Sequence, residues 1–201
     1  MDHPSLAPQA LLAAYAEGGF PMDEAGAGGA VGLYTCDPRG VMPIDGFRVP
    51  RSVARALRAR PYAIRIDAAF DEVAAACAGR RLGGVWLTPR LVRAYVRLHR
   101  EGWAHSVEAW DGDRLAGGLF GVALGGLFTS ESMFHRAPGA GNAALVATAD
   151  LLAAAGFALW DIQMTSTHTR RFGAVGLPPE EYRRRLARAL TVRPRPLGAS
   201  D

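Results

Sequence analysis

Between Ala104 and Met133 the apolar residues recur with a period of two, and this run limits what the chain can fold into more than any other. Residues 104–110, 114–124 and 127–133 are three alternating stretches, separated only by Asp111-Gly112-Asp113 and Gly125-Gly126. Links that short join antiparallel neighbours, because a parallel crossover needs a dozen residues or more. The expectation is an antiparallel meander that buries its apolar face against helices.

Helical spacing flanks the meander on both sides. Val53, Ala54 and Leu57 set a helix from Pro50 whose other face carries Arg51, Arg55, Arg58 and Arg60. Residues 62–66 alternate as a strand, 69–78 read as a helix, and Thr88-Pro89 caps and opens another through Tyr95 and Leu98. Downstream, Gly139-Ala140-Gly141-Asn142 leads into a small-residue helix ending near Gly156, residues 157–164 form a strand, and 179–190 a last helix. At the other end, Ser5 caps a short helix through Leu11 and Tyr15 that Gly18-Gly19 stops. Residues 23–32 read as a loop, Leu33-Tyr34-Thr35 as a strand and Asp37-Pro38-Arg39-Gly40 as a turn. The fold class is α/β (α+β), with a small N-terminal domain over 1–40 and a main domain over 41–201.

Composition narrows the function classes only slightly. The 201 residues, about half apolar, suffice for one core plus a small appendage. All 23 basic residues are arginines, and against 19 acids they leave a net charge of +4, too little to establish a polyanionic partner alone. Cys36 and Cys77 lack the spacing of a metal knuckle or redox pair, which fits free thiols in a reducing cytoplasm. No export signal and no membrane association are expected, because the apolar stretches are short and broken by glycines.

Arg136-Ala137-Pro138-Gly139-Ala140-Gly141, between a meander and a helix, fits the R-x-x-G-x-G loop of GCN5-related N-acyltransferases. Glycines there let backbone N–H groups converge at a helix N-terminus, where an anion can dock. A plain helix cap with a flexible approach fits the same residues.

Longer strings carry a more specific resemblance, over about residues 10 to 190. They are Tyr15-Ala16-Glu17-Gly18-Gly19-Phe20-Pro21, Asp37-Pro38-Arg39-Gly40, the run from Ala94 to Trp110, Leu115 to Ala123, and Leu127-Phe128-Thr129-Ser130-Glu131-Ser132-Met133-Phe134. Asp161-Ile162-Gln163, His168, Phe172 to Pro178 and Tyr182 continue the set. In this order they resemble the leucyl/phenylalanyl-tRNA–protein transferase family. That resemblance implies a GCN5-like mixed, mainly antiparallel sheet flanked by helices. It also implies transfer of Leu or Phe, less readily Met, from the 3′ end and acceptor stem of aminoacyl-tRNA to proteins beginning with Arg or Lys, marking them for N-end-rule degradation. It implies no cofactor and no metal, and a monomer is expected.

The site follows from the same match. The resemblance implies that Asp161 and Gln163 are catalytic, Asp161 working through Gln163 or directly on the acceptor amine, and their spacing of two puts both on one strand face. Read alone, Asp161 is an ordinary structural hydrogen bonder. Glu131, among Phe128, Met133 and Phe134, is costly to ionise unless paired, and a cationic N-terminal residue or an internal arginine would each supply the partner. Trp86, Leu119, Phe128, Met133 and Ile162 are candidates for the apolar substrate pocket, and Tyr15 and Met22 for that pocket or for the site of the terminal adenosine, each against plain core packing. Arg39, Arg51, Arg55, Arg58 and Asn142 are candidates for tRNA phosphates, against the alternative of a solvated face. His168 is placed beside the Asp161 strand and His105 in a structural role.

Several positions depart from the family pattern. Leu33-Tyr34-Thr35-Cys36 stands where W-W-S-P is common, Ala140-Gly141-Asn142 where A-S-K is common, and Thr165-Ser166-Thr167 fills a gap where Asn is common. These departures keep an acetyl-CoA-dependent N-acetyltransferase as a second reading. A non-catalytic module that binds tRNA or an N-degron is a third.

Overall fold

The computed structural model describes residues 6–23, 31–78 and 86–198. Ser5, expected as a cap, lies outside them. The chain opens with α1 (Pro8–Ala16), then β1 (Phe20–Asp23) and β2 (Val31–Tyr34), a separate antiparallel pair. Next come β3 (Arg39–Met42), α2 (Arg51–Ala59), β4 (Ala63–Ile66), α3 (Phe70–Cys77) and α4 (Pro89–Arg100). The meander is β5 (Ala104–Asp111), β6 (Arg114–Leu124) and β7 (Leu127–His135), followed by α5 (Ala140–Ala155) and β8 (Leu159–Gln163). The short α6 (Thr167–Arg170), β9 (Val175–Leu177) and α7 (Pro179–Thr191) complete the order.

Seven strands form one sheet in the order β4-β5-β6-β7-β8-β3-β9, antiparallel everywhere except between β7 and β8. Alternation along the central strands supplies apolar residues to both faces, as a sheet covered on both sides requires. Phe120 and Val122 pack with α1, α3 and α4 through Leu11, Phe70, Leu91 and Tyr95. Leu119 and Phe128 point the other way, toward Leu145, Ala149 and Leu152 of α5 and toward Trp160. Left-handed glycines bound α5, Gly139 at its N-cap (φ 83°) and Gly156 at its C-cap (φ 84°), where a side chain would strain the backbone.

The structure adds elements that local pattern did not indicate: β1, β3, α6 and β9. Arg39 and Gly40, read as the end of a turn, are the first residues of β3, so the boundary expected at Gly40 falls inside a strand of the large sheet. Thr88 does occupy the N-cap of α4, but its side chain makes no capping bond. Among the described residues no helix is long and apolar enough to cross a membrane. Neither Cys36 nor Cys77 forms a disulfide among the described residues.

Candidate functional site

Two irregularities in adjacent strands shape the site. The β7–β8 ladder ends at the pair Thr129↔Asp161, although both strands continue beyond it. On the other edge of β7, Phe120 pairs with Ser132 and Gly121 with Ser130, so Glu131 is an extra, bulged residue. On β8, Val41 pairs with Asp161 and Gly40 with Gln163, leaving Ile162 as a second extra residue. Gln163 then has φ 55°, unusual for a residue with a side chain. Simple alternation therefore stops at Ile162, and the shared face expected for Asp161 and Gln163 does not follow from their spacing. Gly40 makes this geometry accessible, since a Cβ there would lie 2.6 Å from the Met164 carbonyl carbon and 2.8 Å from the Thr165 nitrogen.

Asp161 is wholly buried, and its oxygens are committed to the protein itself. Arg39 Nη2 donates to Oδ2 at 2.6 Å and Nε to Oδ1 at 2.9 Å; Tyr182 Oη donates to Oδ2 at 2.6 Å. The backbone N–H of Gln163 donates to Oδ1 at 2.8 Å. Arg39 is 2% exposed, gives Nη1 to the Gly18 carbonyl at 2.9 Å, and has the rings of Phe20 and Tyr182 4.9 and 4.8 Å from its guanidinium carbon. Burial works against its charge, but bonding to Asp161 outweighs this and raises its pKa. Burial, reinforced by the Asp161 charge, pushes the Tyr182 hydroxyl far up. A buried, fully bonded pair of this kind fixes geometry, and removing either partner strands the other charge.

Glu131 sits differently. It is half-buried and lines an apolar pocket of about 140 Å³ with Phe20, Met22, Trp86, Gln163 and Met164. Tyr95 Oη donates to its Oε2 at 2.7 Å, and because that hydroxyl has one proton, Tyr15, 2.8 Å from Tyr95, must donate to Tyr95. Gln163 Nε2 reaches Oε1 at 3.4 Å across the gap between the strands. No arginine among the described residues pairs with Glu131. Burial, opposed by the tyrosine hydrogen bonds and aided by the Asp161 charge, pushes its pKa up to about 7. The pocket thus has a carboxylate that changes charge near neutrality, facing an amide and apolar walls. At this volume it holds one side chain or one ring, since sites for whole drug-sized ligands usually exceed about 300 Å³.

Two other hollows lie apart from this network. A groove of about 610 Å³ lies along Arg60, Glu72, Asp111, Arg114 and Arg136, but Arg60 pairs with Asp111 and Arg136 with Glu72. A pocket of about 260 Å³ at the start of α5 is lined by Met133, His135, Gly139, Gly141, Asn142 and His168. Burial, then Arg171 and His135, lower the His168 pKa.

The family described as leucyl/phenylalanyl-tRNA protein transferase matches residues 41–187. A leucyl/phenylalanyl-tRNA–protein transferase of Rubrobacter xylanophilus is 50% identical over 188 residues, 93% of this chain and 96% of that one. One from Nitratidesulfovibrio vulgaris is 48% identical over 180 residues, 88% of this chain and 76% of its own. The chain belongs to the leucyl/phenylalanyl-tRNA–protein transferase family. It is accordingly an enzyme, a transferase of the aminoacyl class. A solved structure titled "The structure of L-PGS from Bacillus licheniformis" covers 77% of this chain and 65% of its own at 10% identity and a TM-score of 0.46.

In this transferase the expected site residues divide between the two faces of the sheet. Met22, Trp86, Glu131 and Gln163 meet in one pocket, and the Tyr15 hydroxyl stands behind Glu131, 2.8 Å from that of Tyr95. Leu119 and Phe128 are closed into the α5-side core at 1% and 0% exposure, with Met133 and Ile162 packed against that cluster, so these four do not line the Glu131 pocket. Met133 instead shares the α5 pocket with Asn142. Arg51, Arg55 and Arg58 are exposed along one hollow on α2, the placement a phosphate contact needs. Arg39 corrects the expectation made for it: it is buried on Asp161 and has no open face for a phosphate. Asp161 likewise has no open path to an amine. His105 Nδ1 lies 2.7 Å from Asp67 Oδ2, and His168 lines the α5 pocket. Phe20, Met164, Tyr95 and Tyr182 carried no expected site role, although Phe20, Tyr95 and Tyr182 stand within the matched strings, where no chemical cue marks them.

Proposed function

We propose that this transferase takes Leu or Phe from aminoacyl-tRNA, joins it to the amino group of a protein beginning with Arg or Lys, and does so at Glu131 and Gln163. The observation that carries the proposal is Glu131: a carboxylate with a pKa of about 7, with no cation paired to it among the described residues, in an apolar pocket where β7 and β8 part. An α-amine has a pKa near 8, so a useful fraction is free base at neutral pH, about a tenth. As the new C–N bond forms, Glu131 accepts the proton the nitrogen loses. As the ester C–O bond breaks, the same proton passes to the departing ribose oxygen, and the enzyme ends as it began. Gln163 orients the amine, and Asp161 acts through Gln163 by holding its backbone N–H. The negative charge of Glu131 favours acceptors whose first residue is cationic. Phe20, Met22 and Trp86 favour an apolar group beside it.

The arginines of α2 would meet tRNA phosphates, which supplies affinity without reading sequence. One parallel strand pair that parts within a mainly antiparallel sheet supports a GCN5-like scaffold. Against acetyl-CoA as donor stands another cause for the glycines of the Arg136–Gly141 loop: Gly139 caps α5 with φ 83°, and a Cβ on Gly141 would lie 3.3 Å from Met133 Sδ, so cap geometry and helix-to-sheet contact account for them. The test is direct. Protein is incubated with radiolabelled Leu-tRNA and a peptide beginning with Arg, and in parallel with labelled acetyl-CoA. Label from Leu-tRNA alone is expected; label from acetyl-CoA alone, or none from either, would overturn the proposal.

A further inference from the structure

The outer wall of the Glu131 pocket is built from two segments distant in sequence, Met22 in β1 and Trp86 just before α4. They are joined by a backbone bond, Asp23 N–H to the Trp86 carbonyl at 3.1 Å. Beside Met22 in the strand, the Asp23 side chain is 3% exposed and accepts the Thr88 hydroxyl, while both its oxygens meet the Arg90 guanidinium. Thr88 stands at the N-cap of α4 without making a capping bond, and the first turn of α4 has no acidic residue. Its hydroxyl is turned to Asp23 instead. A carboxylate from β1 thus supplies the negative charge that the start of α4 lacks in its own sequence. The same helix delivers Tyr95 to Glu131. Arg90 draws the Asp23 pKa below the carboxylate range, as an ion pair present at neutral pH should.

We infer that Asp23 is a positioning residue: by tying β1 to the start of α4 it fixes the gap between Met22, Trp86 and Glu131, and so sets how firmly the pocket holds its ligand. The kinetic consequence rests on the transfer reading; the geometric one does not. Arg90 meets Asp23 with a two-pronged contact that an amide or an ammonium cannot reproduce.

Asp23→Asn, Arg90→Ala and Arg90→Lys are compared with the unsubstituted chain in two measurements. In steady-state transfer, Asp23→Asn and Arg90→Ala are expected to raise KM for Leu-tRNA about tenfold with kcat within about twofold, and Arg90→Lys to recover only part of the loss. In amide exchange, the N–H of residue 23 should exchange faster in Asp23→Asn while amides of β6 keep their protection. An unchanged KM, or a fall in kcat matched by a general loss of protection, would overturn the inference and leave Asp23 a fold residue only. Were the unsubstituted chain to transfer nothing, the transfer reading would fail on its own. Exchange at residue 23 would still decide the geometry, and an unchanged rate there would overturn it.

Discussion

Replacing Glu131 by Gln should make this protein more stable while making it a poorer enzyme, and the size of the gain can be worked out. The carboxyl titrates near 7 in the folded chain and near 4.5 when unfolded, because burial penalises its charged form. With a raised folded pKa, the stability it contributes is fully present below pH 4.5 and is lost as pH rises through 7. At about 1.4 kcal/mol per unit, the loss approaches about 3.5 kcal/mol, of which about 2.5 falls between pH 5 and pH 8. Glu131→Gln keeps an oxygen for the Tyr95 hydroxyl and gains an NH2 that donates to Gln163 Oε1 once the Gln163 amide turns over, but it never ionises. Urea unfolding of both proteins at pH 5 and pH 8 should therefore give a variant whose relative stability rises by about 2.5 kcal/mol between the two values. An equal difference at both pH values would refute the reasoning, since it would mean Glu131 has the same pKa folded and unfolded. Stability sacrificed at one residue for chemistry is a common mark of an active site.

The remaining expectations concern what surrounds that residue. Asp161→Asn strands the Arg39 guanidinium in the interior and should cost about 3–5 kcal/mol in urea unfolding; a loss below 1 kcal/mol would show that Arg39 has another way to keep its charge. Replacing Arg51, Arg55 and Arg58 together by Ala should flatten the plot of log tRNA affinity against log salt by about 2 units, and an unchanged slope would remove α2 from the interface. Gly40→Ala pushes a methyl group into the backbone at Met164 and Thr165, so about 1–3 kcal/mol of stability should be lost together with slower transfer. Wild-type rates from this variant would mean the turn after Gln163 is free to move.

Much of the scaffold was legible because it follows from apolar periodicity. Residues 104–124 alternate, α4 and α7 carry one apolar stripe each, and burial obliges such patterns to become strands and helices. The strand β3 was not legible, because Asp37-Pro38-Arg39-Gly40 has the composition of a turn and its burial comes from β8 and β9, partners far along the chain. Of the site, Glu131 and Gln163 were identified through the family resemblance and do meet at one pocket. Their geometry was hidden, because a bulge adds one residue without changing the local composition: Ser130-Glu131-Ser132 shows nothing unusual as text. The Arg39–Asp161 pair links residues 122 positions apart, and no local signal connects them. Leu119 and Phe128 show the limit of a period-two reading. It tells which residues share a face but not which of two covered faces opens to a ligand.

Glu131, and not Asp161, is the carboxylate proposed to handle the amine's proton. The most direct measurement is the pH dependence of single-turnover transfer from Leu-tRNA to a peptide beginning with Arg, for the unsubstituted protein and for Glu131→Gln. Transfer by the unsubstituted protein should rise through two ionisations, one near 7 from Glu131 and one near 8 from the amine. The variant should keep only the second, at a lower plateau. Retention of the lower ionisation in Glu131→Gln would contradict the account and assign the proton to another group.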